Sequence, residues 1–331
     1  MNRREFLRRA AAVSAGLPVI GRSPLYASAP GAAWRTFEVT TDIEVLKPSG
    51  VTRVWLPVPS RTATPYQKSA ALDIFDAPAG KARLTSDART GAALIFAEWP
   101  EGARPALTVI SRVSTRDYTV DLTASGHAKP VSKTELAHFL QPTSLLPTDG
   151  IVRHTALSIT ANAKTDVAKA RAIYEWIVEN THREPTVRGC GIGDIRFMLE
   201  SNTLGGKCAD LNALYVGLAR AAGIPARDVY GIRVARSELG YKSLGTSSDV
   251  ISKAQHCRAE VHLTEYGWTP VDPADVRKVM LEEPPGNLAI TDGKVTAARA
   301  RLFGSWEMNW MRTTPPTTSR FQARRASRCR S

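Results

Sequence analysis

The hydrophobic period changes once along this chain, and that change limits the architecture more than any other feature. From Trp34 to about Leu122 the pattern has period two: Phe37, Val39, Thr41, Ile43 and Val45, all good strand formers, alternate with polar or charged neighbours. Runs at Val51–Val58, Ala92–Trp99 and Leu107–Tyr118 are similar, and Pro48-Ser49-Gly50, Pro78-Ala79-Gly80 and Pro100-Glu101-Gly102 punctuate them. Side chains that alternate between two faces suit strands with one buried side, so residues 34–125 are expected to form an all-β domain of sandwich type. After Gly126 and Pro130 the spacing becomes three and four. Thr165 and Asp166 form a helix cap, followed by one stripe of Val167, Ala170, Ile173, Tyr174, Ile177 and Val178.

A second helix is delimited by chemistry as well as by period. Leu211, Leu214, Tyr215, Leu218 and Ala222 mark its buried stripe, Gly223 stands where a left-handed residue belongs, and Pro225 blocks continuation. Strands are expected at Val229–Val234, His256–Leu263 and Trp268–Asp272, the last two joined by a turn near Glu265-Tyr266-Gly267. The polar stretch from Arg236 to Gln255 is long for a connection and reads as either a substrate lid or a plain insertion.

With 331 residues, 43% of them hydrophobic, the chain has material for roughly two domains of about 150 residues. Its formal charge of +13 would suggest a polyanionic partner if it lay on the folded body. Most of it does not. Residues 1–29 hold Arg3, Arg4, Arg8, Arg9 and Arg22 against Glu5, and residues 312–331 hold six arginines against no acid. No basic stretch interleaved with aromatics occurs between them, so no nucleic-acid partner is expected.

The start, Arg3-Arg4-Glu5-Phe6-Leu7 with an Ala-rich run from Ala10 to Ile20, resembles a twin-arginine signal peptide. That resemblance implies the Tat export machinery as a partner, a periplasmic or otherwise exported location, and cleavage near Ala29 or Ala33. Gly16 and Pro18 interrupt the run, and no other segment approaches 18 apolar residues, so no permanent membrane span is expected. The Thr-, Pro-, Ser- and Arg-rich stretch 312–331 lacks apolar periodicity and reads as a flexible basic tail or as a frame-shifted reading of a chain that continues as folded protein.

The residue with the most chemical promise is Cys208. Gly205-Gly206-Lys207 precede it and the second helix begins at it, so its sulfur meets unpaired N–H groups and the positive end of the helix dipole. That position favours thiolate over thiol. The same N–H groups suit the oxyanion of a tetrahedral intermediate. A thiolate nucleophile works with an imidazole that protonates the leaving group, itself oriented by an acceptor. His256 opens one expected strand and Asp272 closes the next, and their even separation allows both side chains on one face of an antiparallel hairpin.

Four ordered motifs carry a resemblance: Gly205-Gly206-Lys207-Cys208-Ala209-Asp210, Leu218 to Arg227, His256-Cys257-Arg258-Ala259-Glu260-Val261, and Tyr266 to Pro273. They are similar to the successive motifs of the bacterial transglutaminase-like superfamily. The resemblance spans about Asp166 to Leu281 and implies an α+β chain with a papain-like core, the triad mapping onto Cys208, His256 and Asp272. It implies acyl transfer through a thioester without cofactor, acting on a peptide, a protein or a small amide, with water or an amine as acceptor. One departure stands out: the position two after the histidine, commonly aromatic, is Arg258, which bears on the leaving-group side. Asn202 is the position from which a papain-like enzyme would offer a side-chain oxyanion donor; the simpler reading is a loop-capping amide. A signal peptide over 1–33, a β-rich domain over 34–125, a transglutaminase-like domain over 131–311 and a disordered tail over 312–331 complete the expected organisation.

Other readings compete at several residues. The same constellation persists in silent modules that bind an envelope protein or peptide rather than turning over substrate. Cys190 and Cys257 read either as a disulfide near the site or as two separate thiols. A zinc site from Cys190, Cys208, His256 and Cys257 lacks a C-x-x-C knuckle, so no metal is expected. Gly189 to Gly193 lacks the Lys-Ser or Lys-Thr of a phosphate loop and is expected to line the cleft. Arg227 reads as a structural ion-pair residue, and Trp268, Trp306 and Trp310 as packing.

Overall fold

The first strands are β1 (Arg35–Glu44), β2 (Thr52–Pro57), β3 (Gln67–Ser69), β4 (Ile74–Asp76), β5 (Lys81–Ser86), β6 (Ala93–Trp99), β7 (Ala106–Thr115) and β8 (Tyr118–Thr119). The computed structural model describes residues 33–69, 74–86 and 92–313. The twin-arginine segment as far as residue 32 and the tail from residue 314 therefore lie outside the described residues.

Strand β1 runs antiparallel to β7 along its whole length, and β7 also carries β3 and β4. In a second sheet β6 lies between β2 and β5. Ile95, Ala97 and Trp99 of β6 share one buried cluster with Leu107 and Val109 of β7. The two sheets thus face each other across alternate residues, which is the sandwich that the period of two demands.

The helical part follows as α1 (Lys133–His138), α2 (Gly150–Ile159), α3 (Asp166–Asn180), β9 (His182–Arg183), α4 (Ile195–Glu200), β10 (Gly205–Gly206) and α5 (Cys208–Ala221). Then come β11 (Ala226–Arg233), β12 (Gln255–Leu263), β13 (Gly267–Val271), α6 (Pro273–Glu282), α7 (Gly293–Arg301), β14 (Ser305–Trp306) and β15 (Trp310–Arg312). Strands β13, β12, β11 and β15 form an antiparallel sheet in that order.

Helix α5 is the axis of this half. The sequence marks a single apolar stripe, yet every residue from Cys208 to Ala221 is buried, because α2, α3, α4 and α6 and the strands β11 and β12 surround it. Complete enclosure forces its polar residues to find partners. Arg220 donates to the carbonyls of Ala226 (2.9 Å) and Gln141 (3.0 Å). The helix ends as its sequence requires: Gly223 takes φ 85°, a left-handed value at which it needs no Cβ relief.

The segment between β11 and β12 is pinned. Ser243 donates to Glu283 (2.7 Å), Ser237 donates to Glu307 (2.6 Å), and Arg233 donates to the Leu244 carbonyl (2.5 Å). These contacts anchor the part of the segment nearer β11, from Ser237 to Leu244.

Strands β14 and β15 join the β-rich part to the helical part: Trp306 pairs with Tyr118 on β8, and β15 pairs with β11. Arg312 corrects one boundary. Composition groups it with the basic tail, but it ends β15 at 1% exposure, its N–H donating to Gln67 (2.7 Å) and its carbonyl accepting from the Gln67 amide (2.9 Å). Pairing on both sides of the strand outweighs the local run of charge. Among the described residues no helix is long and apolar enough to cross a membrane.

Candidate active site

Three elements deliver the site. Cys208 is the first residue of α5, His256 lies near the start of β12, and Asp272 follows β13. Pairing of β12 with β13 sets Ala259 opposite Val271, and the same register carries Asp272 to a diagonal of His256 on one face. Asp272 does not close the strand as expected from sequence. It caps α6, because Pro273 cannot donate to a ladder and is pre-set for the first helical position.

The carboxylate of Asp272 is divided by function. One oxygen accepts from the Asp275 N–H (3.1 Å) and from the Asn212 amide (3.1 Å), and the other meets His256 Nε2 at 2.7 Å. Asp275, in the first turn of α6, brings a second carboxylate to within 3.3 Å of the same nitrogen. Arg233 grips Asp275 with two hydrogen bonds of 2.6 and 2.7 Å, and Trp310 donates to the His256 carbonyl (3.0 Å). With Nε2 committed to the acids, Nδ1 is the nitrogen left to face the thiol, and His256 is among the groups that lower the Cys208 pKa.

Burial sharpens the electrostatics, since Cys208, His256, Asp272 and Asp275 are all at most 5% exposed. Burial and Arg233 press the His256 pKa down, but Asp275 and Asp272 more than offset them and raise it to about 9. Burial raises Asp275, and Arg233 with His256 overrides it, holding the carboxyl well below the usual range. Asp272 is raised, first by burial and then by the Asp275 charge. Cys208 falls well below an ordinary thiol, chiefly through hydrogen bonds from Cys190 and Cys257, then through His256, with burial opposing. Cys257 moves the opposite way through its bonds to Cys190 and Cys208 and through burial, and so keeps its proton. The directions together favour a thiolate at Cys208 and a protonated ring at His256.

The loop before α5 is strapped to the helix. Asp210 accepts from the N–H groups of Ile192 (2.9 Å), Gly193 (2.9 Å) and Lys207 (2.9 Å), and the Cys190 carbonyl accepts from Ala209 (2.9 Å). Gly191 has φ 98°, and a Cβ there would collide with the Asp210 carboxylate. Cys190, Cys208 and Cys257 are all reduced thiols, and no disulfide joins Cys190 to Cys257.

One expectation changes. Arg258 does not reach the leaving-group side: it is 1% exposed, packs over the rings of Trp306 and Trp310, and stands 3.5 Å from Asp272. Burial lowers its pKa to about 10, with Asp272 opposing that fall. Asn202 sits at φ 53° just beyond α4 with its residue exposed. A left-handed residue after a helix is a position that asparagine tolerates, which suits the loop reading. Sequence reasoning missed Asp275, Asn212, Arg233 and Trp310 as parts of the site. The spacing Asp272-Pro273-Ala274-Asp275 was the available signal for Asp275, because it places a second acid in the first turn of a capped helix.

Residues 153–273 match the model of the transglutaminase-like superfamily. An uncharacterized protein of Haemophilus influenzae is 35% identical over 290 residues, which cover 83% of this chain and 77% of that protein. A crystal structure described as a candidate cysteine protease from Cytophaga hutchinsonii is 19% identical, covers 86% of this chain and 94% of its own, and superposes with a TM-score of 0.55. That last likeness concerns the fold. Motif order, the helix-borne cysteine beside a hairpin-borne histidine, and the matched family model lead to one assignment: the chain belongs to the transglutaminase-like superfamily.

Proposed function

We propose that this chain is an exported, cysteine-dependent acyl-transfer enzyme that hydrolyses peptide or amide bonds through a thioester. The observation that carries the reading is the pairing of His256 Nε2 with Asp272 at 2.7 Å on the hairpin that faces the head of α5, where His256 helps to lower the Cys208 pKa. The Cys208 thiolate attacks the substrate carbonyl carbon, and backbone N–H groups at the head of α5 receive the oxyanion. His256 gives its Nδ1 proton to the departing amine, leaving an acyl group on sulfur. Water then attacks the thioester as His256 takes its proton, and the acid leaves with Cys208 regenerated. Asp272 and Asp275 keep the ring in the tautomer and orientation that both halves need. The twin-arginine resemblance supports export, and the substrate is a peptide, a protein or a small amide.

The test compares intact protein with Cys208→Ala on a periplasmic extract, with products read by mass spectrometry. New termini or released amines are expected only with the intact protein, the turnover falling by about 10⁴-fold or more in the variant. Substoichiometric iodoacetamide near neutral pH is expected to modify Cys208 first, faster than a free thiol reacts. Identical product profiles together with sluggish labelling would overturn the reading in favour of a silent binding module.

A further inference from the structure

Three sulfur atoms converge next to His256. The Sγ atoms of Cys190, Cys208 and Cys257 all lie within 4.8 Å of one another, although they come from a loop, a helix and a strand. We propose that these three thiols, as thiolates, form a binding site for one soft divalent cation of the zinc class. The inference uses the cysteine assigned above as nucleophile, but it does not depend on turnover.

The spacing fits such an ion. Zinc–sulfur bonds of about 2.3 Å in a tetrahedron set sulfurs about 3.8 Å apart, inside the spread found here. The donor set selects for the same class, because three sulfurs without a carboxylate favour zinc and its soft relatives over magnesium or calcium. A chance cluster of thiols would also be loosely held, and this one is not. Cys208 is fixed at the head of α5. Cys190 is fixed by its carbonyl on the Ala209 N–H and by the Asp210 strap on Ile192 and Gly193. Cys257 lies on β12 between two neighbouring strands, and its carbonyl accepts from the Asn212 amide at 2.7 Å. Folding has therefore already met most of the cost of gathering the ligands. Cys208 and Cys257 are buried while Cys190 is half-buried, so the ion enters past Cys190 and a water completes its coordination. Each thiol that joins the metal releases its proton to solvent. The C-x-x-C knuckle missing from the sequence is replaced by proximity that only the fold supplies.

One consequence follows for catalysis: a Cys208 sulfur bound to zinc cannot attack a carbonyl, so zinc and substrate exclude each other.

The experiment uses the full chain, reduced, then freed of reductant and metal under anaerobic conditions and titrated with Zn²⁺, and in parallel with Co²⁺. The chain has four cysteines. One equivalent of zinc is expected to lower the reactive thiols from four to one, with a chelator restoring them, and Co²⁺ is expected to give sulfur-to-cobalt charge-transfer bands. Cys190→Ser and Cys257→Ser are each expected to weaken binding by at least about 100-fold, the top of the range seen on losing an outer-shell partner alone. Should Cys257→Ser disturb the core, the half-buried Cys190→Ser carries the comparison. Four thiols that stay reactive in zinc, affinity unchanged by Cys190→Ser, or thiol loss that a reductant rather than a chelator reverses would overturn the site. Zinc bound through the three sulfurs of an inactive chain would sink the enzyme and keep the metal site; turnover indifferent to zinc would do the reverse.

Discussion

Asp275 stands between Arg233 and His256, and both depend on its charge. Removing it leaves the Arg233 guanidinium, 3% exposed as a residue, without its bidentate partner. A buried charge stripped of its partner costs about 3–5 kcal/mol, whereas replacing both members by apolar groups is often near neutral. Asp275→Asn and Arg233→Met are each expected to destabilise by about that amount, and the double variant by clearly less than their sum, in urea denaturation analysed as a cycle. Strict additivity would show that the pair is not coupled. The difference between what the sequence revealed and what it hid lies at this scale. Cys208 after two glycines, His256 at a strand start and Asp272 before Pro273 each carry a local mark of an element boundary. Asn212 and Arg233 act through partners 60 and 42 residues away, and no local pattern encodes such a pairing, whereas Asp275 carried the mark of a first-turn acid that the spacing offered.

Helix α5 and the loop over 189–193 act as one unit, because Asp210 in the first turn receives two loop N–H groups. Gly191→Ala would drive a methyl into that carboxylate and also impose a left-handed φ on alanine. It is expected to cost about 2–4 kcal/mol, more than the 1–2 kcal/mol of left-handed strain alone, and to slow alkylation of Cys208. Gly240→Ala supplies the comparison, since φ there is 85° with no atom near a new Cβ. Equal melting temperatures for the two variants would deny the strap. The glycine-rich loop was visible in the sequence, but its clasp to Asp210 was not. Likewise the stripe of α5 was legible while its enclosure on every side was not, since Ala213, Val216 and Gly217 look like ordinary outer-face residues until neighbouring helices cover them.

At the scale of the whole molecule, the last described strands bind the parts together. Thr115 of β7 donates to the Met308 carbonyl (2.5 Å), Gln67 of β3 exchanges hydrogen bonds with Arg312, and Trp306 and Trp310 are fully buried. Losing one such tryptophan costs about 3–5 kcal/mol, and a domain has only about 5–15 kcal/mol in hand. A chain ending at Gly304 is therefore expected to lack a cooperative thermal transition, while one ending at Thr313 melts like the full chain; calorimetry of both decides it. The abrupt change of composition after Met311 was readable, yet it misplaced Arg312, because strand pairing with β11 is a non-local fact. The Trp310 indole that supports the His256 backbone has a further implication for biosynthesis. Every other residue of the centre is synthesised before Trp310, so a nascent chain that has not yet added β15 holds the centre without that support.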